Sequence, residues 1–334
     1  ASLAFSLSGY MVARAWFISI NHAAAWLPWI IYFAERMLER LRERPGFKHT
    51  LPVSLGLTLS LSLQWLAGHA QTAWYSLLLL VVWITWRIWK DLSRDMVTRV
   101  ISRFLFAGCL AFAITAAQLL PTIEYLSLSQ RAGSLDREFA LTYSFWPWKF
   151  LGLFFPDLFG NPASGDYWGY GNFWEDAIYI GILPIVLALG AIWRGLSRGE
   201  GKTSLERFLF ILSILTALLA LGKNTPIFPF LFDNIPTFDL FQAPARWNIL
   251  LVFSLSILAA KGAERWSTPQ ARGLYWTRLL TAGAGIIAFA SYLGLRLMPQ
   301  IESSFVRSFS ISGVFLTITG LLTLFLPKER IKLK

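Results

Sequence analysis

Cysteine is nearly absent. Cys109 is the single one among 334 residues, so no intrachain disulfide can form. The three histidines, His22, His49 and His69, are scattered, and without Cys or His clusters no structural zinc site is expected. Charge is scarce as well, at 15% of residues, and the interiors of the long apolar runs hold no Asp, Glu or Lys. That removes the proton-relay and ion-coupling chains on which transporters usually depend. No Walker loop, GxSxG elbow or HExxH occurs. The loops leave no room for soluble nucleotide-sugar machinery.

Apolar length is what the chain has in abundance: 55% of its residues are hydrophobic. About 20 apolar residues cross roughly 30 Å of hydrocarbon. Runs of that order predict spans near 18–37, 50–67, 73–90, 104–123, 177–194, 207–222, 247–265, 279–297 and 309–326. Residues 1–13 are too short to cross alone and carry neither an initiator Met nor a charged signal-peptide n-region. They read as the tail of a helix, and the chain as an N-terminally truncated fragment. Backbone facing lipid must satisfy its hydrogen bonds internally, so the spans must be helices. The expected fold is an all-α polytopic transmembrane helical bundle of about nine full spans plus a truncated first one. Residues 1–334 form a single transmembrane domain on this reading.

Lys and Arg are distributed unevenly. Most of the 30 lie in five clusters, 36–48, 87–103, 194–207, 261–278 and 328–334, whereas the remaining positions are on balance acidic. The clusters fall on every second loop, the positive-inside pattern of a multi-pass protein of the cell membrane. The formal charge of +11 therefore points to anionic lipid rather than nucleic acid. The pattern puts 125–176 and 223–246 on the extracytoplasmic face, together with the turn at 68–72 and the short 298–308 loop. Mixed signs at helical spacing from Glu35 to Arg44 read as a solvated helical extension on the other side.

The 125–176 loop is unusually long and aromatic-rich. Ser144–Gly160 carries only Lys149 and Asp157 as charges, and its prolines suit interfacial helices better than a span. Asn161–Trp174 alternates rings with turn and polar residues, a composition fit for carbohydrate contact. An aromatic girdle with tight turns has the same composition.

Candidate site residues follow from polar groups on that side. Asn21 and His22 sit in the outer half of the 18–37 span, where they could face a cavity or bond another helix. His69 and Gln71, in the outer turn, could orient a pyrophosphate or sugar, or cap the interface. Glu124 ends the 104–123 span near Arg131, as a base, a metal ligand or an ion-pair partner. Asp157, Asn161, Asn172, Trp174, Glu175 and Asp176 add carboxylates, amides and a ring on the same side. Converging carboxylates suit general-base work on a hydroxyl or coordination of a divalent ion. Arg246 opens a span on the side where arginine is scarce, and its guanidinium suits a lipid phosphate or snorkels to headgroups.

Six strings in order resemble the YfhO family of bacterial membrane proteins. They are LSGYMVARAWFISINHAAAWLPWIIYFAERML, LAGHAQTAWYSLL, LLPTIEYLSLSQRAG, FPDLFGNP, NFWEDAIYIGILPIVLAL and FQAPARWNILL. The likeness runs from about residue 3 to about residue 265. Members of that family are similar to GT-C glycosyltransferases. The resemblance implies a membrane enzyme that takes a sugar from a polyprenyl-phosphate donor and passes it to an extracytoplasmic glycan or cell-wall polymer. It also implies that the usual acid, in a first outer loop, precedes this chain. Glu124, Asp157 and Glu175 are then the catalytic candidates. Asn21, His22, His69, Gln71, Arg131, Asn161, Trp174 and Arg246 are the substrate-binding ones, with no metal ligand assigned. A transporter or flippase of lipid-linked glycans, or a non-catalytic envelope-assembly protein, stays open.

Overall fold

A computed structural model describes residues 1–91, 94–128, 135–196, 204–266, 283–285, 289 and 303–325. Among the described residues the regular structure is helical throughout. By contact density the chain divides into two compact units, Arg14–Leu135 and Ala1–Ala13 with Asp136–Lys334.

The 14–135 unit is built from α3 (Ile18–Glu43), α4 (Phe47–Leu66), α5 (Ala70–Asp91) and α6 (Arg94–Leu128). α3 packs on α4 and α5, and α4 packs on α6. Apolar residues recur at helical spacing, and Ile30, Ala34, Leu57, Leu61, Leu80, Ala107 and Ala111 interlock as one core. Gly56 lets α3 approach α4 closely: a Cβ there would lie 2.4 Å from the Phe33 ring. Polar residues of this core pair internally, as lipid surroundings demand. The Gln64 amide donates to the Ala23 carbonyl and to Ser76 Oγ, both at 2.8 Å. Glu35 accepts from Arg87 at 2.5 Å and from the Trp83 indole at 3.0 Å. The mixed-charge stretch at the end of α3 stays helical to Glu43, with Arg36 bonded to Glu39 one turn on.

The other unit opens with α1 (Ser2–Ser6) and α2 (Gly9–Ala13) and continues with α7 (Arg137–Ala140) and α8 (Phe173–Asp176). Its long helices are α9 (Ile182–Leu196), α10 (Ser204–Ala220), α12 (Asn248–Trp266) and α13 (Ser303–Phe325), with the short α11 (Ile227–Asn234) between α10 and α12. α12 is the hub, packed on α9 and α10 and touched by α1. Gly262 makes the α9 contact possible, since a Cβ would meet the Leu187 carbonyl oxygen at 2.1 Å.

Helices cover eight of the nine spans read from the sequence; the span at 279–297 lies almost wholly outside the described residues. Among the described residues, Ala70–Lys90, Met96–Leu128 and Pro244–Glu264 can cross a membrane by length and composition, and the count of nine is not reached there. α9 shows why. It begins at Ile182 rather than 177, because Gly181 takes a left-handed φ of 98° and ends the extended stretch before it. Fifteen residues at about 1.5 Å each then fall short of roughly 30 Å of hydrocarbon.

Candidate functional site

Between Asp136 and Gly181 the chain makes no long helix. Prolines and glycines punctuate it into α7, a 3-10 helix over Pro147–Leu153, a 3-10 turn over Pro162–Ser164 and α8. The interfacial helices expected in Ser144–Gly160 reduce to that one 3-10 helix. Its Lys149 points inward and is 2% exposed.

Lys149 is the centre of a buried polar triad. Its ammonium pairs with Asp176 and donates to the Tyr170 carbonyl at 2.6 Å, while the Tyr167 hydroxyl donates to Asp176 Oδ2 at 2.6 Å. Burial pushes Asp176 above the ordinary carboxylate range, against the pull of Lys149. It pushes Lys149 below the usual ammonium range, and it raises the Tyr167 phenol, helped by the adjacent carboxylate. Burial thus opposes the charged form of both partners, while their mutual attraction opposes that effect.

A second polar knot lies beside it. The Asn161 side-chain amide donates to Asp157 Oδ1 at 3.3 Å, and its backbone N–H donates to Asp166 Oδ1 at 2.9 Å. Arg307 of α13 donates to both Asp166 oxygens, at 2.9 and 3.2 Å, and lies 3.9 Å from Asp157. The Asn161 N–H, then Arg307, hold the Asp166 carboxyl below its ordinary value. Gly160 makes the turn possible. It sits at φ 79°, and a Cβ there would lie 1.9 Å from the Asp166 carbonyl oxygen. Gly165 has a similar φ of 71° with open space around it. Gly160→Ala is therefore expected to lower the thermal unfolding midpoint far more than Gly165→Ala. The latter carries only the left-handed cost of about 1–2 kcal/mol. Equal losses in the two variants would mean that the Gly160 turn yields.

Triad and knot line one cavity of about 190 Å³. Lys149, Asp157, Asn161, Tyr167 and Asp176 supply its polar wall, and Gly9, Val12, Phe159, Phe173 and Ile178 much of the apolar one. α2 is held there by the Gly9 N–H, which donates to the Tyr179 carbonyl at 2.6 Å. Few polar groups converging in an apolar cleft is the general form of a small-molecule site.

Arg246 comes from the 3-10 turn Pro244–Trp247. Ala243 just before it takes a left-handed φ of 62°, a conformation that costs a non-glycine residue about 1–3 kcal/mol. Hydrogen bonds from the Ala243 and Ala245 N–H groups to the carbonyls of Ala140 and Tyr143 hold this turn. Arg246 Nε donates to Glu175 Oε1 at 3.0 Å, and the Glu175 side chain is 4% exposed.

The structure thus brings Asp157 to Asn161, and Glu175 to Arg246. Trp174 is partly buried in α8 between these groups in sequence. The remaining candidates belong to the 14–135 unit. His69 caps α5: the Thr72 N–H donates to its Nδ1 at 3.2 Å, and the Thr72 hydroxyl lies 2.8 Å from the same nitrogen. Gln71 is buried and donates to the Tyr75 hydroxyl at 2.8 Å. Asn21 is half-buried, while His22 and Glu124 are exposed. Arg131 lies outside the described residues. Among the described residues no group of three or more His, Cys, Asp or Glu is placed to hold a metal, so a divalent ion gains no ligand set there. Sequence reasoning missed Lys149, Tyr167, Asp166 and Arg307 as site residues, and counted Asp176 only as one more carboxylate on the same side. Lys149 and Arg307 carried signals, one as a lone cation in an apolar run, the other as an arginine on the arginine-poor side.

A family model described as "Bacterial membrane protein YfhO" matches residues 1–334, the whole chain. The chain belongs to that family. No curated protein and no solved structure matches it.

Proposed function

We propose, taking membership of this bacterial membrane protein family as the premise, that the chain is a GT-C-like glycosyltransferase. It transfers a sugar from a polyprenyl-phosphate-linked donor to an acceptor hydroxyl on the extracytoplasmic side of the cell membrane. The observation that carries this reading is the cavity holding Asp157, Asn161, Lys149, Tyr167 and Asp176. It is formed largely by the 136–181 segment, which the arginine and lysine asymmetry assigns to that face.

The chemistry needs a base for the hydroxyl and cationic help for the departing phosphate. Asp157 is the base on this reading. It takes the hydroxyl proton as the acceptor oxygen bonds to the anomeric carbon. The bond from that carbon to the donor phosphate oxygen breaks, and polyprenyl phosphate leaves with the electron pair. Asn161 orients Asp157 through Oδ1, and Arg307 keeps a positive charge near its other oxygen. Asp176, held by Lys149 and Tyr167, lines the same cavity. Arg246, oriented by Glu175, is the cation assigned to the phosphate.

The test uses the full-length protein in detergent, supplied with a polyprenyl-phosphate sugar, with sugar release and transfer as readouts. Arg246→Ala is expected to cut turnover about 10²–10³-fold, the size of losing one preorganised donor to a developing anion. Because Glu175 loses this ion pair, the unfolding midpoint is read in parallel, and Arg246→Lys restores charge without the fork geometry. Turnover untouched by Arg246→Ala removes the phosphate assignment. A wild-type protein that moves the lipid-linked sugar across vesicles without cleaving it is a flippase instead.

A further inference from the structure

Trp146 immediately precedes the 3-10 helix that contains Trp148, and the two indoles stack 4.6 Å apart at 22°. Tyr170 stands across from them, its ring 6.1 Å from Trp146 and turned by 88°. The Lys223 ammonium faces both planes, 5.9 Å from Trp146 and 5.7 Å from Tyr170. Trp148 and Tyr170 are about half exposed or more, at 50% and 60%. Beyond Lys223 opens a shallow basin of about 540 Å³, with Arg137, Asn224, Thr225, Asp233 and Asn234 on its walls.

We propose that this corner of rings and the adjoining basin bind a hexopyranose chain. The assignment of that chain as acceptor rests on the transferase reading above. Flat rings pack against the C–H faces of pyranoses, while amide, hydroxyl, carboxylate and ammonium groups at the edge match sugar hydroxyls. The basin falls within the roughly 300–1,000 Å³ of ordinary ligand sites. A membrane anchor would use the same rings, but it would press the half-exposed Arg137–Asp233 ion pair toward hydrocarbon, where charges are costly even when paired. Although Pro226, Pro229 and Phe230 supply apolar surface, this charged pair on the basin wall favours a glycan over lipid.

The corner is also rigid before any ligand arrives. Lys149 ties it from below, its backbone N–H donating to the Trp146 carbonyl at 2.9 Å and its ammonium to the Tyr170 carbonyl at 2.6 Å. On the other side the Lys223 N–H donates to Ser144 Oγ at 2.9 Å, and the Asn224 amide donates to the Phe145 carbonyl at 2.7 Å. Binding to such a surface orders few side chains, so little of the contact energy is lost. Lys149 is also the partner of Asp176 in the cavity wall, so a chain lying on Trp148 and Tyr170 runs beside the proposed reaction site.

The test is binding of cellohexaose and chitohexaose to the full-length protein in detergent, followed by calorimetry. Binding of either sugar is expected, weakened about tenfold by Trp148→Ala or Tyr170→Ala, as for truncation of a central aromatic anchor. Trp148→Phe should restore most of it. Both positions are exposed, and unchanged unfolding midpoints confirm intact variants. Absence of binding to both sugars, or binding indifferent to Trp148→Ala, overturns the platform. So does quenching of Trp148 fluorescence by headgroup-proximal brominated lipid, which would place that ring in the bilayer. The two readings fail separately. Trp148-dependent binding without turnover of a polyprenyl-phosphate sugar keeps the platform and removes the transferase. Turnover with Trp148-independent binding does the reverse.

Discussion

Asp157→Asn is expected to reduce sugar transfer about 10²–10⁴-fold, the contribution of a positioned general base. Asparagine preserves the size of the side chain and an acceptor oxygen for the Asn161 amide, but it takes no proton at the pH of the reaction. Asp157 is a quarter exposed, and Arg307 keeps both of its bonds to Asp166. The fold should therefore lose little: the unfolding midpoint stays near that of the wild type, and donor binding is retained. The loss then appears in kcat with KM for the donor nearly constant, the pattern of an interaction made in the transition state. Transfer within a few-fold of wild type would discard Asp157 as base. A larger loss from Glu124→Gln or Glu175→Gln would move that role to the other carboxylate.

The helices were legible because burial in lipid or in a bundle imposes a simple demand, long apolar runs with internal hydrogen bonds. α4, α5 and α12 follow their runs closely, whereas α6 starts ten residues before its predicted span, within the basic loop, and ends five beyond it. Their ends were less legible, since local backbone conformations set them. Gly181 at φ 98° removes five residues from the start of α9, and the mixed charges after Glu35 extend α3 to Glu43. The site was legible only in part, and for a physical reason. Asp157 and Asn161 lie four residues apart, within reach through one turn. Arg246 meets Glu175 from 71 residues away, and Arg307 meets Asp166 from 141. No local pattern encodes such distances. Charge parity did contain a clue: an arginine on the face poor in arginine has a reason to be there. That reasoning singled out Arg246 and applies equally to Arg307. His69 went the other way, since its position before α5 makes it a helix cap, a role as available from the sequence as ligand binding.

Lys149→Met is expected to destabilise the protein by about 3–5 kcal/mol, the cost of leaving one member of a buried ion pair alone. The ammonium is 2% exposed and Asp176 11%, so no solvent shell replaces the lost charge. Asp176 keeps the Tyr167 hydroxyl, but one neutral donor does not offset a buried carboxylate. Removing the whole triad should behave differently. Lys149→Met with Asp176→Leu and Tyr167→Phe takes away both charges and the phenol together, leaving only the Tyr170 carbonyl to find another donor. Most of the lost unfolding midpoint should return, as it does where well-packed apolar groups replace a buried pair. The pH dependence follows from the directions of the two shifts. Asp176 titrates above its ordinary 3.8, so between that value and the raised one the folded chain holds the extra proton, and stability falls as pH rises. Lys149 titrates below 10.5, so between the lowered value and 10.5 the unfolded chain holds the extra proton, and stability rises with pH. Relative to the triple variant, the wild type should therefore lose stability on leaving the acid range and regain it through the lowered Lys149 range. Above about 10 the raised Tyr167 phenol, still protonated in the folded chain, turns the difference down again. Unfolding midpoints in detergent across that range measure the difference. A flat difference, or a triple variant no more stable than Lys149→Met, would mean that the pair contributes net stability and is not retained at a cost for the site it walls.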